Sequence, residues 1–488
     1  MKISNLNRIA CLMLSMLFLK VSGQASQPKK KPNIILIMVD DIGAEAFSCY
    51  GGETYKTPNV DALAKQGILF ENAYAQSVCS PSRAQILTGK YPFRTDVTHN
   101  KGGGSMSNLM YEFRHDPWGL DASGKPNVTT FAHVLKKAGY KTATAGKWGL
   151  AQFDHTPQHL EKMGFDKYRA WARIYNDKFL SKYWNPCYWE DGKAHLDVKD
   201  VYGPNGYTDY LIDFMKENKD KPFLLYYPMT LVHSMNQNPY ENPIPEGVDH
   251  PNFKQMEKYT VGGYDGKDFK LSVQYMDKLV GKIVKAVDDL GIADNTLIIF
   301  TADNGSLHQQ RFVYKGKEIT GGKGIINHTV GVGETGTHIP FIVRWPEKIK
   351  EASVKDDLID FADILPTFAE LSGQTTPKDL DGVSFAPLLL GKKRKKKEAV
   401  FAQFKQWLWV RNKSWALNQK GDLFDLREDR HNIKPADKDA SRAHRVNYKR
   451  LSAEMNKYKE DALRTYEQLG DFYNEEEQQG ARKEIIHQ

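Results

Sequence analysis

Cysteine is scarce: the 488 residues hold four, Cys11, Cys49, Cys79 and Cys187. So few thiols exclude a scaffold built on disulfides, and the chain must bury a hydrophobic core instead. Long apolar runs are equally rare. The run at 9–19 is short for a membrane span, and no later stretch is longer or more apolar. Internal repeats are absent, which excludes solenoids and propellers. A strong charge of one sign is missing too, with 68 basic against 60 acidic residues and a net charge of +8. That mild excess is compatible with a polyanionic substrate and gives no sign of a nucleic-acid partner.

What is present begins with a targeting signal. Residues 1–23 carry Lys2 and Arg8, then the apolar run, then Ser22 and Gly23, the layout of a signal peptide. Its removal takes Lys2, Arg8 and Lys20 and no acids, so the charge falls by 3 from +8 to +5. Residues 24–31 read as a flexible lead-in. The mature protein is expected in the periplasm or outside the cell, without a stable membrane span.

The remaining length suits one large domain, 32–390, and a smaller one, 391–488. Ile34-Ile35-Leu36-Ile37-Met38-Val39 is an unbroken apolar run, as in a parallel strand buried on both faces. Similar runs stand at 223–227, 297–300 and 341–343, and 141–145 is strand-like. Helices are predicted at 57–67, with Thr57 as cap, at 131–139 and at 268–290, the last closed by Gly291. This alternation implies an α/β fold: a large, mostly parallel sheet sandwiched by helices. The smaller domain reads as α+β, with short antiparallel strands at 399–404, 408–416 and 422–426, a helix at 442–469 and a frayed end. The basic run at 392–397 reads as a solvated loop at the boundary.

Ligands of such sheets bind beyond the carboxyl ends of the strands, and four of the runs lead there to chemically capable residues. They are Asp40-Asp41, Lys147, His233 and Asp303-Asn304. The acids and Asn304 make an all-oxygen set suited to a hard divalent cation, although Asp-Asp and Asp-Asn-Gly are also ordinary turn sequences. In Cys79-Ser80-Pro81-Ser82-Arg83-Ala84-Gln85-Ile86-Leu87-Thr88-Gly89-Lys90, Ser80 can cap a helix, Pro81 suits its first turn and Gly89 can end it. Cys79 then sits just ahead of a positive helix end, with the fixed cation Arg83 one turn in. A structural cysteine before a short helix would look the same.

This stretch resembles the signature of the sulfatases, the formylglycine-dependent family of the alkaline-phosphatase-like superfamily. The resemblance runs from about 32 to 390 and includes Asp363-Ile364-Leu365-Pro366-Thr367 and Leu380-Asp381-Gly382. It implies that a formylglycine-generating enzyme oxidises Cys79, and that one hydroxyl of the hydrated aldehyde attacks sulfur. It also implies one divalent cation, calcium before magnesium, held by Asp40, Asp41, Asp303, Asn304 and residue 79. Arg83, Lys147 and Lys323, the last in Gly321-Gly322-Lys323-Gly324, would hold the sulfuryl group. His233 would assist the leaving oxygen. The implied activity is hydrolysis of sulfate esters, on a sulfated carbohydrate.

Two departures stand out. The family pattern Gly-Lys-Trp-His-Leu has Gly149 where its histidine, the base of the elimination step, belongs. His155 and His308 are the candidate replacements, with His308 alternatively lining the sugar pocket. In Glu334-Thr335-Gly336-Thr337-His338-Ile339-Pro340, His338 replaces an arginine and is a second candidate substrate contact, after extra residues at 325–333. Gly149 keeps open a silent binder of sulfated glycans, and the shared signature keeps open a phosphodiester or phosphonate ester hydrolase. If residue 79 is modified, Cys49 and Cys187 are left as a potential pair.

Overall fold

The fold comes from a computed structural model that describes residues 31–98, 128–175, 178–233, 266–307, 310–323, 326–327, 331–332, 334–431 and 434–468. The expected signal peptide and most of the expected lead-in, His308, part of the insertion at 325–333 and the charged end beyond 468 lie outside the described residues.

Residues 32–488 cluster as one compact unit around a ten-stranded sheet. Its order is Ser353–Asp360, Ile68–Tyr74, Phe341–Arg344, Thr296–Ala302, Asn33–Val39, Phe223–Pro228, Lys141–Gly146, Lys167–Trp171, Tyr188–Glu190, Lys193–His195. The central block from Thr296–Ala302 to Lys167–Trp171 is parallel throughout. Phe341–Arg344 runs antiparallel to both neighbours, as do the last two strands to theirs. Every residue of Asn33–Val39, Thr296–Ala302 and Phe223–Pro228 is buried, which is why these segments are apolar without alternation. The outer strands are mixed in polarity, and those at the edge formed by Tyr188–Glu190 and Lys193–His195 are short as well, so no apolar run marks them in the sequence.

The helices predicted near 57–67, 131–139 and 268–290 form as Pro58–Lys65, Phe131–Lys137 and Gly266–Asp289. In the last, Val273, Met276, Val280, Ile283 and Val287 make one buried stripe. Thr57 holds the cap position of its helix without a capping hydrogen bond from its side chain.

The C-terminal strands form a five-stranded antiparallel sheet, Val400–Phe404, Trp407–Arg411, Trp415–Asn418, Leu423–Asp425 and Pro435–Ala436. The single strand expected at 408–416 is two, joined by a turn in which Asn412 Oδ1 accepts from Ser414 N and Trp415 N. The terminal helix spans Arg442–Asn456 and is broken by a turn at 457–458 before helix resumes at 459. Among the described residues, no helix is long and apolar enough to cross a membrane.

Two expectations are corrected. The basic run at 392–397 is not uniformly solvated. Lys397 Nζ lies 2.8 Å from Asp360 Oδ2 and 2.7 Å from Asp363 Oδ1, and Arg394 Nη2 lies 3.3 Å from Asp363 Oδ2. Two of its residues turn inward to neutralise buried acids while their neighbours stay in water. Cys49 and Cys187, a potential pair by sequence, form no disulfide with each other. Cys187 Sγ donates to the carbonyl of Leu196, and Cys49 sits beside Asp61.

Candidate active site

The register of the central strands sets the site. Val39 pairs with Ala302 and Met38 with Pro228, so the residues just beyond them emerge together. The ladder continues past the strand ends: Asp303 N donates to Val39 O, Asp40 N to Leu231 O and Lys147 N to Pro228 O. Lys147 can lie this close to its neighbour because Gly146 has φ +118, and a Cβ there would meet the Pro228 carbonyl at 2.1 Å. Asp41 adopts φ 63, a left-handed conformation uncommon for a residue with a side chain. That turn aims its backbone N–H at Asp303 Oδ1, 3.1 Å away.

Three buried carboxylates meet two buried cations, Arg83 and Lys147, and the partly buried Lys323. Asp40 Oδ2 is 2.6 Å from Lys147 Nζ and 3.5 Å from Arg83 Nη2. Arg83 Nη2 donates to Asp303 Oδ2 at 2.7 Å, and its Nη1 donates to the Lys147 carbonyl. Lys323 Nζ and Asn304 Nδ2 both donate to Asp41 Oδ1. Burial alone would make Arg83 and Lys323 easier to deprotonate. The surrounding carboxylates, Asp303 and Asp40 for Arg83 and Asp41 first for Lys323, outweigh it and raise both pKa values.

Some oxygens of this cluster are left over. Asp40 Oδ1, Asp41 Oδ2 and Asn304 Oδ1 are buried with no hydrogen-bond donor among the described residues. Ligand atoms of Asp40, Asp41 and His233 lie within 4.8 Å of one another. Unsatisfied buried carboxylate and amide oxygens fit a hard cation better than they fit an empty core.

Cys79 is placed differently from its expectation. It is the first residue of the helix Cys79–Thr88, Val78 occupies the cap position, and no side chain caps the helix. Ser80 lies inside the first turn, its Oγ donating to the Gly149 carbonyl at 3.2 Å. Gly89 ends the helix in the left-handed conformation, as the sequence indicates. Cys79 is 4 % exposed. The helix is buried along its whole length, including Arg83.

His233 follows Phe223–Pro228 by five residues, and its Nε2 is 3.8 Å from Asp41 Oδ2. Burial first, then Lys147, Lys182, Lys323 and Arg173, pushes its pKa well below the usual value, so the ring is neutral near pH 7. Lys182, which no motif singles out, reaches Nδ1 at 2.9 Å.

The other histidines part company with the cluster. His338 is buried, its Nε2 2.9 Å from the Glu71 carbonyl and its ring packed against Tyr74 and Tyr50. A ring so enclosed offers no face to a substrate, and its pKa falls to about 4, chiefly through burial. His155 is exposed. Gly149 has φ +74, and its Cα borders a cleft lined by Phe153, Trp171, Arg173 and Ile174.

Strand ends thus gather acids and bases around a helix-start cysteine, and the comparisons name the group. The chain belongs to the sulfatase family: the model described as Sulfatase matches residues 32–374. A second model, described as N-sulphoglucosamine sulphohydrolase, C-terminal, matches residues 331–461. The "Ulvan-active sulfatase" of Formosa agariphila is 30% identical over 379 residues, covering 76% of this chain and 60% of that protein. Steryl-sulfatase of Mus musculus is 28% identical over 450 residues, 76% of this chain and 66% of its own length. The chain thus spans less than two thirds of both proteins. N-acetylglucosamine-6-O-sulfatase of Bacteroides thetaiotaomicron is 26% identical over 469 residues, 78% of this chain and 75% of that one. Among solved structures, Ps i-CgsB in complex with k-i-k-neocarrahexaose matches with TM-score 0.68 and 25% identity, covering 89% of this chain and 94% of that one.

Proposed function

We propose that the protein hydrolyses sulfate esters on a sulfated carbohydrate, with residue 79 oxidised to formylglycine as nucleophile. The observation that carries this reading is the buried cluster of three acids and three bases, with leftover oxygens, beside residue 79. Asp40, Asp41, Asp303 and Asn304 would hold one divalent cation, calcium before magnesium. Bound there, the ion would supply positive charge that favours an anionic group and the charge developing on it. Without it the acids and bases cancel, and the site has no net attraction for an anion.

Each protein group then has a role. One hydroxyl of the hydrated residue 79 would attack sulfur and give up its proton as the ester oxygen, assisted by His233, takes one up and leaves as the alcohol. Lys147 and Lys323 each keep N–H groups beyond the one aimed at a carboxylate, and these can hold sulfate oxygens. Arg83 is committed on both sides, to Asp303 and the Lys147 carbonyl, and fixes the cluster rigidly. His233 Nε2 faces the leaving oxygen. The second hydroxyl of residue 79 then loses its proton, its C=O bond re-forms and sulfate is expelled.

A carbohydrate substrate is supported by the relatives named for ulvan and N-acetylglucosamine, and by the neocarrahexaose complex. Export through residues 1–23 completes the proposal, placing the enzyme where polysaccharides are met. Sulfate release over a panel of sulfated polysaccharides and oligosaccharides, with phosphate release from phosphodiesters and phosphonate esters alongside, tests it. Sulfate release is expected from at least one glycan. Faster phosphate release, or glycan binding without turnover when formylglycine is confirmed, would overturn it.

A further inference from the structure

The cleft beside Gly149 lies outside the charge cluster, and its walls are of another kind. Phe153, Trp171 and Ile174 are buried and apolar, and Gln152 lines the cleft with them. Two further lining residues tie it to the reaction centre. The Gly149 carbonyl accepts from Ser80 Oγ, one residue beyond Cys79, at 3.2 Å. Arg173 is among the cations that act on His233.

The walls are held from behind. Trp171 Nε1 donates to the Leu180 carbonyl at 3.2 Å, and the Phe153 ring stacks on Trp189 with centroids 6.3 Å apart. The Gln152 carbonyl accepts from Thr156 N at 3.0 Å and from Thr156 Oγ1 at 2.8 Å, which closes the turn that carries its side chain.

Gln152 has one polar atom to spare. The residue is 3 % exposed, and its Nε2 donates to Asp154 Oδ2 at 3.2 Å. A carboxylate only accepts, so this contact fixes which end of the amide is nitrogen. The other end, Oε1, is buried with no donor among the described residues. An amide oxygen left in this state costs the fold free energy, which a ligand bringing a proton would recover. Apolar walls with a few convergent polar groups are the usual make-up of a small-molecule site.

We propose that this cleft seats a sugar ring of the substrate and that Gln152 is its specificity-determining residue. Oε1 accepts a hydrogen bond from a free hydroxyl of that ring, whose C–H face lies against Phe153 and Trp171. A hydroxyl capped by sulfate or methyl has no proton to give, and a sulfate there also sets negative oxygens against the amide oxygen. The cleft therefore selects a ring that is free at this hydroxyl and rejects the same ring sulfated there.

The inference rests on the carbohydrate reading of the substrate, and the test separates the two. Full-length protein carrying Cys79→Ala is titrated by calorimetry, with calcium present. The probes are the 6-sulfates of N-acetylglucosamine and N-acetylgalactosamine and sulfated oligosaccharides of carrageenan and ulvan. In the tightest binder each free hydroxyl is then replaced in turn by hydrogen. One deoxy sugar should bind at least about fivefold more weakly than its parent. Adding Gln152→Met should weaken the parent by a similar factor and make the protein indifferent, within about twofold, to that one replacement, the coupling that marks a direct contact. Gln152→Asn keeps the amide but withdraws its oxygen, and should behave alike. Unchanged binding of the parent by both variants, or an equal loss for every analogue, overturns the inference. So does tighter binding of a sugar sulfated at the selected hydroxyl. Sulfate release by the native protein without this coupling removes Gln152 and leaves the sulfatase reading standing. The coupling without sulfate release keeps the sugar site and counts against that reading. A panel in which nothing binds overturns both.

Discussion

The molecule holds two buried clusters of charge, and they are alike in composition and opposite in completeness. At the strand ends, Asp40, Asp41 and Asp303 face Lys147, Lys323 and Arg83. At the junction with the C-terminal sheet, Asp360 and Asp363 face Lys397 and Arg394. In the second cluster every carboxylate oxygen is used. Asp360 accepts from Ala362 N and Tyr91 Oη, and Asp363 from Asp360 N and Val383 N, besides the bases. In the first, oxygens of Asp40, Asp41 and Asn304 receive no donor among the described residues. Buried charge alone does not mark a functional site; charge left incompletely paired does.

The largest expected effect tests the functional side. Cys79→Ala should lower sulfate release by at least about 1000-fold, because a nucleophile has no substitute. Its melting temperature should stay near that of the native protein, and mass spectrometry of the native peptide should show an aldehyde at residue 79. An active preparation carrying only the thiol would break the assignment.

Asp303→Asn comes next. It should cost activity about 100-fold and abolish the rise in melting temperature that calcium gives the native protein, since a ligand bound only to the folded state stabilises it. Asp363→Asn should keep that calcium response. Equal loss in both variants would erase the distinction between the clusters.

On the structural side, Lys397→Met strands two buried acids and should destabilise the fold by about 3 kcal/mol or more, read by denaturant unfolding. Calcium binding should be unaffected.

A smaller effect comes from a single buried acid beside Ser306. Burial raises the pKa of Glu45 from 4.5 to about 7. The folded state therefore holds this proton more tightly than the unfolded one. Its contribution is fully present below about pH 4.5 and is lost as pH rises through about 7, up to ~3 kcal/mol in all. Glu45→Gln should raise stability at pH 7 and flatten the unfolding curve over that window. An unchanged pH profile would show that Glu45 ionises as it does in water.

Much of this was legible beforehand because the central strands are buried on both faces. Continuous apolar runs located four of them, and the residues that follow gave the cluster. What stayed hidden was set by distant partners. Lys182 stands among short strands with no motif, and only the fold carries it to His233. The inward turn of Arg394 and Lys397 depends on Asp363, 31 and 34 residues away from them in the chain, so six consecutive bases look uniformly solvated. His338 replaces an arginine of the family pattern, yet its surroundings of Tyr74, Tyr50 and the Glu71 carbonyl make it a packing residue.

The pairing of Asn33 with Thr296 also has a consequence in time. These neighbours are 263 residues apart in the chain. At synthesis rates of about 5–20 residues per second, the first strand waits roughly 13–50 s for this partner. Through that interval Ile34–Val39 lacks the neighbour that buries one edge, a span in which a chaperone or an export factor has work to do. Under the proposed function, the same interval would be the opportunity to oxidise residue 79. Once the sheet closes, the helix that begins at Cys79 is buried from end to end, and a modifying enzyme that arrives later finds the cysteine 4 % exposed.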